Sequence, residues 1–269
     1  MRGSATESAL APKPGEPTVL RPDWPAPAGV RAFVTLREGG VSRGPWGTPA
    51  GEARGLNLGD HCGDDPVDVS RNRAILRGLL PAEPRWLQQV HGTDVLDADL
   101  QVRGREPPVA DAVVSVGRRV VLAVMTADCL PVLLTNRSGS IVGVAHAGWR
   151  GLCAGILERT VDALSARTDD HRWLAWLGPA IGPQRFEVGD EVREAFVSHA
   201  PRASLAFRPA ANTGKWFADL DLLARQRLED CGVAEVSGGG LCTVSDPARF
   251  YSYRRDGITG RMASVIWLD

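Results

Sequence analysis

Apolar positions along the chain switch between a period of two and a period near 3.6, and the switches mark the elements. Residues 30–35 alternate as an opening strand, and a long Gly- and Pro-rich loop over 37–63 follows. Asp64-Asp65-Pro66 then predicts a helix to about residue 80. Asp65 suits the N-cap, and Pro66 suits the first helical position, where its missing N–H forfeits no bond. Strand-like runs come next at 85–90, 110–115 and 119–125. A hairpin is predicted from 131–135, a turn at Arg137-Ser138-Gly139, and 141–146. Helical spacing returns over 152–166, a strand over 173–177, helices over 189–199 and 218–231, and an apolar strand closes the chain at 262–268. The alternation is irregular and one hairpin is evident. That favours mixed sheets with helices packed outside over a purely parallel, doubly wound sheet. Residues 1–28, rich in Pro and Ala, are expected to form a flexible N-terminal arm, leaving 29–269 as a single catalytic domain.

Composition narrows the class. The 269 residues are 43% hydrophobic and 23% charged, with a net charge of −1, so no overall basic field draws the protein to nucleic acid or anionic lipid. No signal peptide or long apolar span is read from the sequence, so the expected compartment is the cytoplasm and no membrane partner is expected. Five scattered cysteines do not form a disulfide framework. In a reducing compartment they are free to serve as ligands or nucleophiles.

The hairpin brings two of the candidate ligands together. With Asn136 and Ile141 as the last paired residues, His146 faces Pro131, and Cys129 lies two residues further along on the same face. Such diagonal neighbours are ~7–8 Å apart at Cα. A sulfur at ~2.3 Å and an imidazole nitrogen at ~2.0 Å from one metal ion close that gap. The third ligand is open at this point between His91, which ends an apolar run before Gly92, and His61, in a polar loop beside Cys62. Around the pair, Asp128 is a candidate proton acceptor or supporting carboxylate. Gly148-Trp149-Arg150-Gly151 offers backbone amides and the Arg150 guanidinium to an anion, although the same run also reads as a plain strand-to-helix turn. The cluster from Phe250 to Gly257 reads either as a hydrogen-bonded turn or as a pocket wall with aromatics for stacking and arginines for anions.

Several segments occur together in one order: Gly55-Leu56-Asn57-Leu58-Gly59-Asp60-His61, Gln89-Val90-His91-Gly92, Thr126-Ala127-Asp128-Cys129-Leu130-Pro131, Ala145-His146-Ala147-Gly148-Trp149-Arg150-Gly151, Gly178-Pro179-Ala180-Ile181-Gly182-Pro183, Phe186-Glu187-Val188-Gly189 and Ser252-Tyr253-Arg254-Arg255-Asp256-Gly257. Over roughly 30–268 the chain resembles the bacterial laccase-domain family, also described as YfiH-like purine nucleoside phosphorylases. The resemblance implies an α+β fold, a four-layer α/β/β/α sandwich with mixed β-sheets, and a metal in a cleft. It selects His91 to join Cys129 and His146 as metal ligands; the ion expected there is one zinc per chain, with copper less expected. It further implies phosphorolysis of adenosine, inosine, guanosine or 5′-methylthioadenosine, with purine nucleoside and phosphate as partners, and adenosine deamination as an added activity. On that reading Asn57, His61, Gln89 and Arg255 contact substrate, Arg150 holds phosphate, and Asp128 and Glu187 transfer protons. The rival readings are a copper-dependent polyphenol oxidase and a cell-wall precursor editing factor. A laccase needs many His ligands, and this chain has five His in all. Arg185 also stands where family members often carry a Cys, which disfavours additional copper ions.

Overall fold

The computed structural model describes residues 17–101, 104 and 106–269. In chain order, strands β1 (Val19–Leu20), β2 (Val30–Thr35) and β3 (Glu38–Ser42) precede helix α1 (Pro66–Arg77). Strands β4 (Val95–Asp97), β5 (Ala112–Ser115), β6 (Leu122–Thr126), β7 (Leu130–Asn136) and β8 (Val142–Ala147) follow, then helices α2 (Trp149–Ala154) and α3 (Ile156–Ser165). Beyond these come β9 (Trp173–Leu177), β10 (Glu187–Gly189), α4 (Asp190–His199), β11 (Phe207–Pro209), β12 (Lys215–Ala218) and α5 (Leu220–Asp230). The chain finishes with β13 (Glu235–Gly238), the short α6 (Tyr253–Asp256) and β14 (Met262–Leu268).

Two large sheets carry the structure. One is wholly antiparallel, in the order β1-β2-β14-β6; the other is mixed, in the order β13-β9-β7-β8-β5-β4, with parallel pairs at its two edges. A strand that is covered on both faces has no polar side to alternate with. All residues of β6, β7, β8 and β14 are accordingly buried. Val34, Val124, Met262 and Ile266 of the first sheet interleave with Val113, Leu133, Val144 and Trp176 of the second. The outer face of the first sheet, with Phe33, Ala123 and Val265, takes Leu76 of α1. The outer face of the second, with Val132, Ala145 and Ala175, takes Leu157 of α3, Phe196 of α4 and Leu223 of α5. The layers therefore run helix, sheet, sheet, helix, as the resemblance implies.

Asp65 caps α1 through its side chain, which accepts from the Val67 amide 2.8 Å away, with Pro66 in the first turn. That helix stops at Arg77, three residues short of the expected end, just before Gly78. The helix expected over 152–166 starts earlier, at Trp149, and is broken at Gly155, whose φ of 101° only glycine adopts without strain. Residues 85–90 form no ladder. Arg85 bridges once to Leu122 on the edge of the first sheet, and Gln88 once to Val109 beside the second. The segment crosses from one sheet to the other, so it cannot stay in register with either. The expected loop over 37–63 contains β3. Of the arm expected over 1–28, residues 1–16 lie outside the described residues, and Val19 and Leu20 pair with Thr35 and Val34 of β2. Among the described residues no helix is long and apolar enough to cross a membrane.

Candidate metal centre

The β7–β8 hairpin has the expected register, with Pro131 paired to His146. Cys129 does not extend β7, however. The preceding residue, Asp128, has φ 90°, and this left-handed bend turns the chain between β6 and β7. The bend is held from three sides. Asp128 Oδ1 accepts from the Thr243 hydroxyl at 2.5 Å, Oδ2 accepts from the Arg254 amide at 2.7 Å, and its carbonyl accepts from the Ile181 amide at 2.9 Å. Such anchoring offsets the backbone strain of a non-glycine residue in this region.

His91 is also left-handed, with φ 60°. Its turn wraps around the buried carboxylate of Asp111, which accepts from the amides of Val90 at 3.2 Å, His91 at 3.0 Å and Gly92 at 2.7 Å. The same carboxylate lies 2.8 Å from Nδ1 of His146. A single Asp, at the head of β5, therefore fixes two of the three ligand residues and turns His146 Nε2 toward the site. Sequence reasoning missed Asp111. Its signal was a lone charge directly ahead of an unbroken apolar strand.

The donor atoms of His91, Cys129 and His146 all lie within 4.8 Å of one another, with Cys129 Sγ 3.7 Å from His91 Nε2. Ligands bound tetrahedrally at ~2.0–2.3 Å stand roughly 3.3–3.8 Å apart, so this group closes on one ion with little movement. It is the one such group among the described residues, and two imidazoles with a thiolate suit zinc or copper rather than calcium or magnesium. Gly148 makes room for it, because a Cβ there would lie 2.8 Å from His91 Cδ2 and 3.0 Å from Cys129 Sγ. In the Gly-Trp-Arg-Gly run, the first glycine thus permits the close approach of the metal ligands. The second, Gly151, sits against the Gly92 carbonyl, 2.7 Å from where a Cβ would be.

Without a metal the donors pair electrostatically. Burial pushes the Cys129 thiol up, but the charge of His146 and hydrogen bonds from both histidines outweigh it, bringing it to about 6. Burial pushes His146 down, and the Cys129 thiolate with the Asp111 carboxylate more than compensates, raising it to about 9. The two shifts run in the direction that favours a thiolate beside an imidazolium, the ligating form of the sulfur.

All three donors line a cavity of about 750 Å³, together with Asp60, His61, Arg73, Trp86, Gln89, Tyr253 and Arg261. Of the expected substrate contacts, His61 and Gln89 do face it. Gln89 is locked, its amide both donating to and accepting from the backbone of Met125, at 2.8 and 2.7 Å. Asn57 is fully buried behind the wall, bonded to Gly59, Asp64 and the Arg261 amide. Arg255 is tied to Asp256 and to the carbonyls of Thr243 and Phe250, away from the cavity lining. Arg150 is exposed and stacked on Trp149, with 4.5 Å between guanidinium and ring centroid. Neither Arg150 nor Glu187, at the start of β10, lines the cavity. In the 250–257 cluster, Tyr253 does form a wall, whereas Tyr251 is buried, with its hydroxyl donating to the Trp46 carbonyl.

Comparison with known proteins places this geometry among its relatives. The family model described as multi-copper polyphenol oxidoreductase laccase matches residues 31–269. A protein of Pseudomonas aeruginosa named purine nucleoside phosphorylase is 54% identical over 250 residues, covering 93% of this chain and 98% of the relative. The Escherichia coli purine nucleoside phosphorylase YfiH is 51% identical over 252 residues, with the same coverage. Among solved structures, a Neisseria meningitidis protein superposes with a TM-score of 0.84 at 47% identity, over 93% of this chain and 99% of that one. YlmD of Geobacillus stearothermophilus gives the same score at 34% identity, over 93% and 96%. From 31 to the last residue, then, this chain belongs to the multi-copper polyphenol oxidoreductase laccase family, the family of the YfiH-type proteins.

Proposed function

We propose that the protein is a zinc-dependent purine nucleoside phosphorylase acting on adenosine, inosine, guanosine or 5′-methylthioadenosine. The observation that carries this reading is that one cavity is lined by the three metal donors together with two arginines and two aromatic rings, Arg73, Arg261, Trp86 and Tyr253. Relatives half identical along nearly their whole length are named for the same activity. The cavity volume suits a small, partly polar ligand such as a nucleoside.

In phosphorolysis a phosphate oxygen forms a bond to the ribose anomeric carbon as the bond to the purine nitrogen breaks. The electron pair leaves with the base, which takes up a proton. Trp86 and Tyr253 offer flat surfaces to a purine. His91, Cys129 and His146 would hold the zinc ion, which when bound would supply Lewis-acid charge beside the substrate. His61, whose Nδ1 lies 3.5 Å from Asp60, is the cavity residue best placed among the titratable groups to exchange a proton with the leaving base through Nε2; burial, and then the Arg261 charge, push it below its ordinary value. Asp128, both of whose carboxylate oxygens accept hydrogen bonds, is better suited to holding the Cys129 bend than to moving protons. Adenosine deamination is a second reading, favoured by the same open-sided donor set. A multi-copper oxidase reaction is disfavoured by the single metal-ligand group among the described residues.

A nucleoside panel with and without phosphate tests the proposal. Free base with ribose 1-phosphate supports it; inosine from adenosine, independent of phosphate, supports deamination instead. Metal analysis should return about one zinc per chain, whereas several coppers would favour the oxidase.

A further inference from the structure

Two arginines on the cavity wall are pinned to the same short backbone segment. Arg73, on α1, donates from Nε to the Leu58 carbonyl at 3.0 Å. Arg261, one residue before β14, has its carbonyl bonded by the Leu58 amide at 3.2 Å, and its own amide donates to Asn57 Oδ1 at 2.9 Å. Gly59 leaves space for the Arg261 stem, since a Cβ there would fall 2.8 Å from Arg261 Cγ. The buried Asn57 thus acts from behind the wall, setting the position of a cavity arginine.

The charges at this wall do not cancel. Arg73 Nη2 pairs with Asp60 at 3.1 Å, but among the described residues Arg261 has no carboxylate partner. Its Nη1 donates only to the carbonyls of Thr259 and Gly260, at 3.2 and 3.0 Å. One acid therefore faces two guanidiniums; burial first, and then the charge of Arg261, lower the pKa of His61, against Asp60, which raises it, with Arg73 adding a smaller lowering. Each guanidinium also lies against a ring, Arg73 over Trp86 at 4.8 Å and Arg261 over Tyr253 at 6.0 Å, which restricts where its free N–H groups point.

Resting on the phosphorylase reading above, we infer that Arg73 and Arg261 form the subsite for orthophosphate, with Asn57 and Gly59 as its supports. Planar guanidiniums with spare N–H donors match the tetrahedral oxygens of phosphate, and two fixed forks from different elements define its position as well as its charge. Arg150, outside the cavity lining, is replaced in this role.

The test uses the metal-loaded enzyme. Arg261→Gln should raise the KM for phosphate by about tenfold or more, as expected for loss of a charge-assisted contact, while the nucleoside KM changes far less. Arg73→Gln should do the same. Calorimetric titration with orthophosphate alone should show binding to the wild type and its loss in Arg261→Gln. AMP is the control for a nucleotide phosphate group: if AMP binding depends on Arg261 and orthophosphate binding does not, the assignment to free phosphate fails. It is also overturned if phosphorolysis proceeds and both variants keep the wild-type phosphate KM, or if Arg150→Gln raises that KM and Arg261→Gln does not. If no nucleoside gives ribose 1-phosphate but orthophosphate binds in an Arg261-dependent way, the phosphorylase reading falls and the anion subsite stands.

Discussion

The carboxylate of Asp111 lies 2.8 Å from Nδ1 of His146, and both side chains are buried beside the His91 turn, whose amides the same carboxylate accepts from. The bond sets the imidazole's orientation and favours coordination through Nε2. The same carboxylate gathers three consecutive amides, so it positions the three-donor group without being one of its donors.

Asp111→Asn should therefore weaken metal binding, read with zinc as the probe, by roughly 10- to 100-fold while leaving the ligand set intact. Competition with a chromophoric chelator measures this. A variant that holds zinc as tightly as the wild type would remove Asp111 from the site's construction.

Gly148→Ala probes the opposite side. Its φ of −61° and ψ of 154° are open to any residue, so the cost is steric, arising at His91 Cδ2 and Cys129 Sγ. Crowding of this kind costs about 1–3 kcal/mol. It should appear as weaker metal binding, with orthophosphate binding near wild type because the arginines stand on a different segment.

Cys129 should be unusually reactive once the metal is removed. Its thiol is at about 6, so alkylation of the metal-free protein should rise with a midpoint near pH 6 rather than about 8.5. Below that midpoint the sulfur is protonated and the rate falls; above it the thiolate persists. Zinc should protect it. A midpoint near 8.5 would mean that the His146 imidazolium does not stabilise the thiolate.

Asn57→Ala should lower stability before any ligand is added. Its amide satisfies the backbone of Gly59 and Arg261, and stranding one buried partner costs about 1–3 kcal/mol. A fall in the denaturation midpoint together with weaker orthophosphate binding is expected. A variant with unchanged stability and unchanged orthophosphate binding would mean that Asn57 does not hold this wall.

Local pattern made much of this protein legible. The Asp65–Pro66 helix start and the strands at 30–35, 173–177 and 262–268 follow from capping chemistry and unbroken apolar runs. The hairpin register follows from its turn, and with it the pairing of His146 with Pro131. These signals lie within a few residues of the features they specify. The break at Gly155 was weaker in the sequence, because an isolated glycine is also tolerated inside helices.

The third ligand, the supporting Asp111 and the arginine pair belong to a different scale. His91 and His61 cannot be separated by local spacing; the resemblance singled out His91, and the fold brings it to Cys129 across 38 residues of sequence. Arg73 and Arg261 meet through the backbone of Leu58, although 188 positions separate them, because β14 runs through the middle of the first sheet and α1 covers that sheet's outer face. The sequence by itself determined most of the elements and the register that faces His146 with Pro131, since dihedral preference and side-chain period act over a few residues. Cys129, by contrast, reaches His146 through the Asp128 bend, which Ile181, Thr243 and Arg254 hold from distant parts of the chain. Only the tertiary structure decided which distant charges share a cavity and which are spent holding the wall, because that depends on how the sheets close over one another.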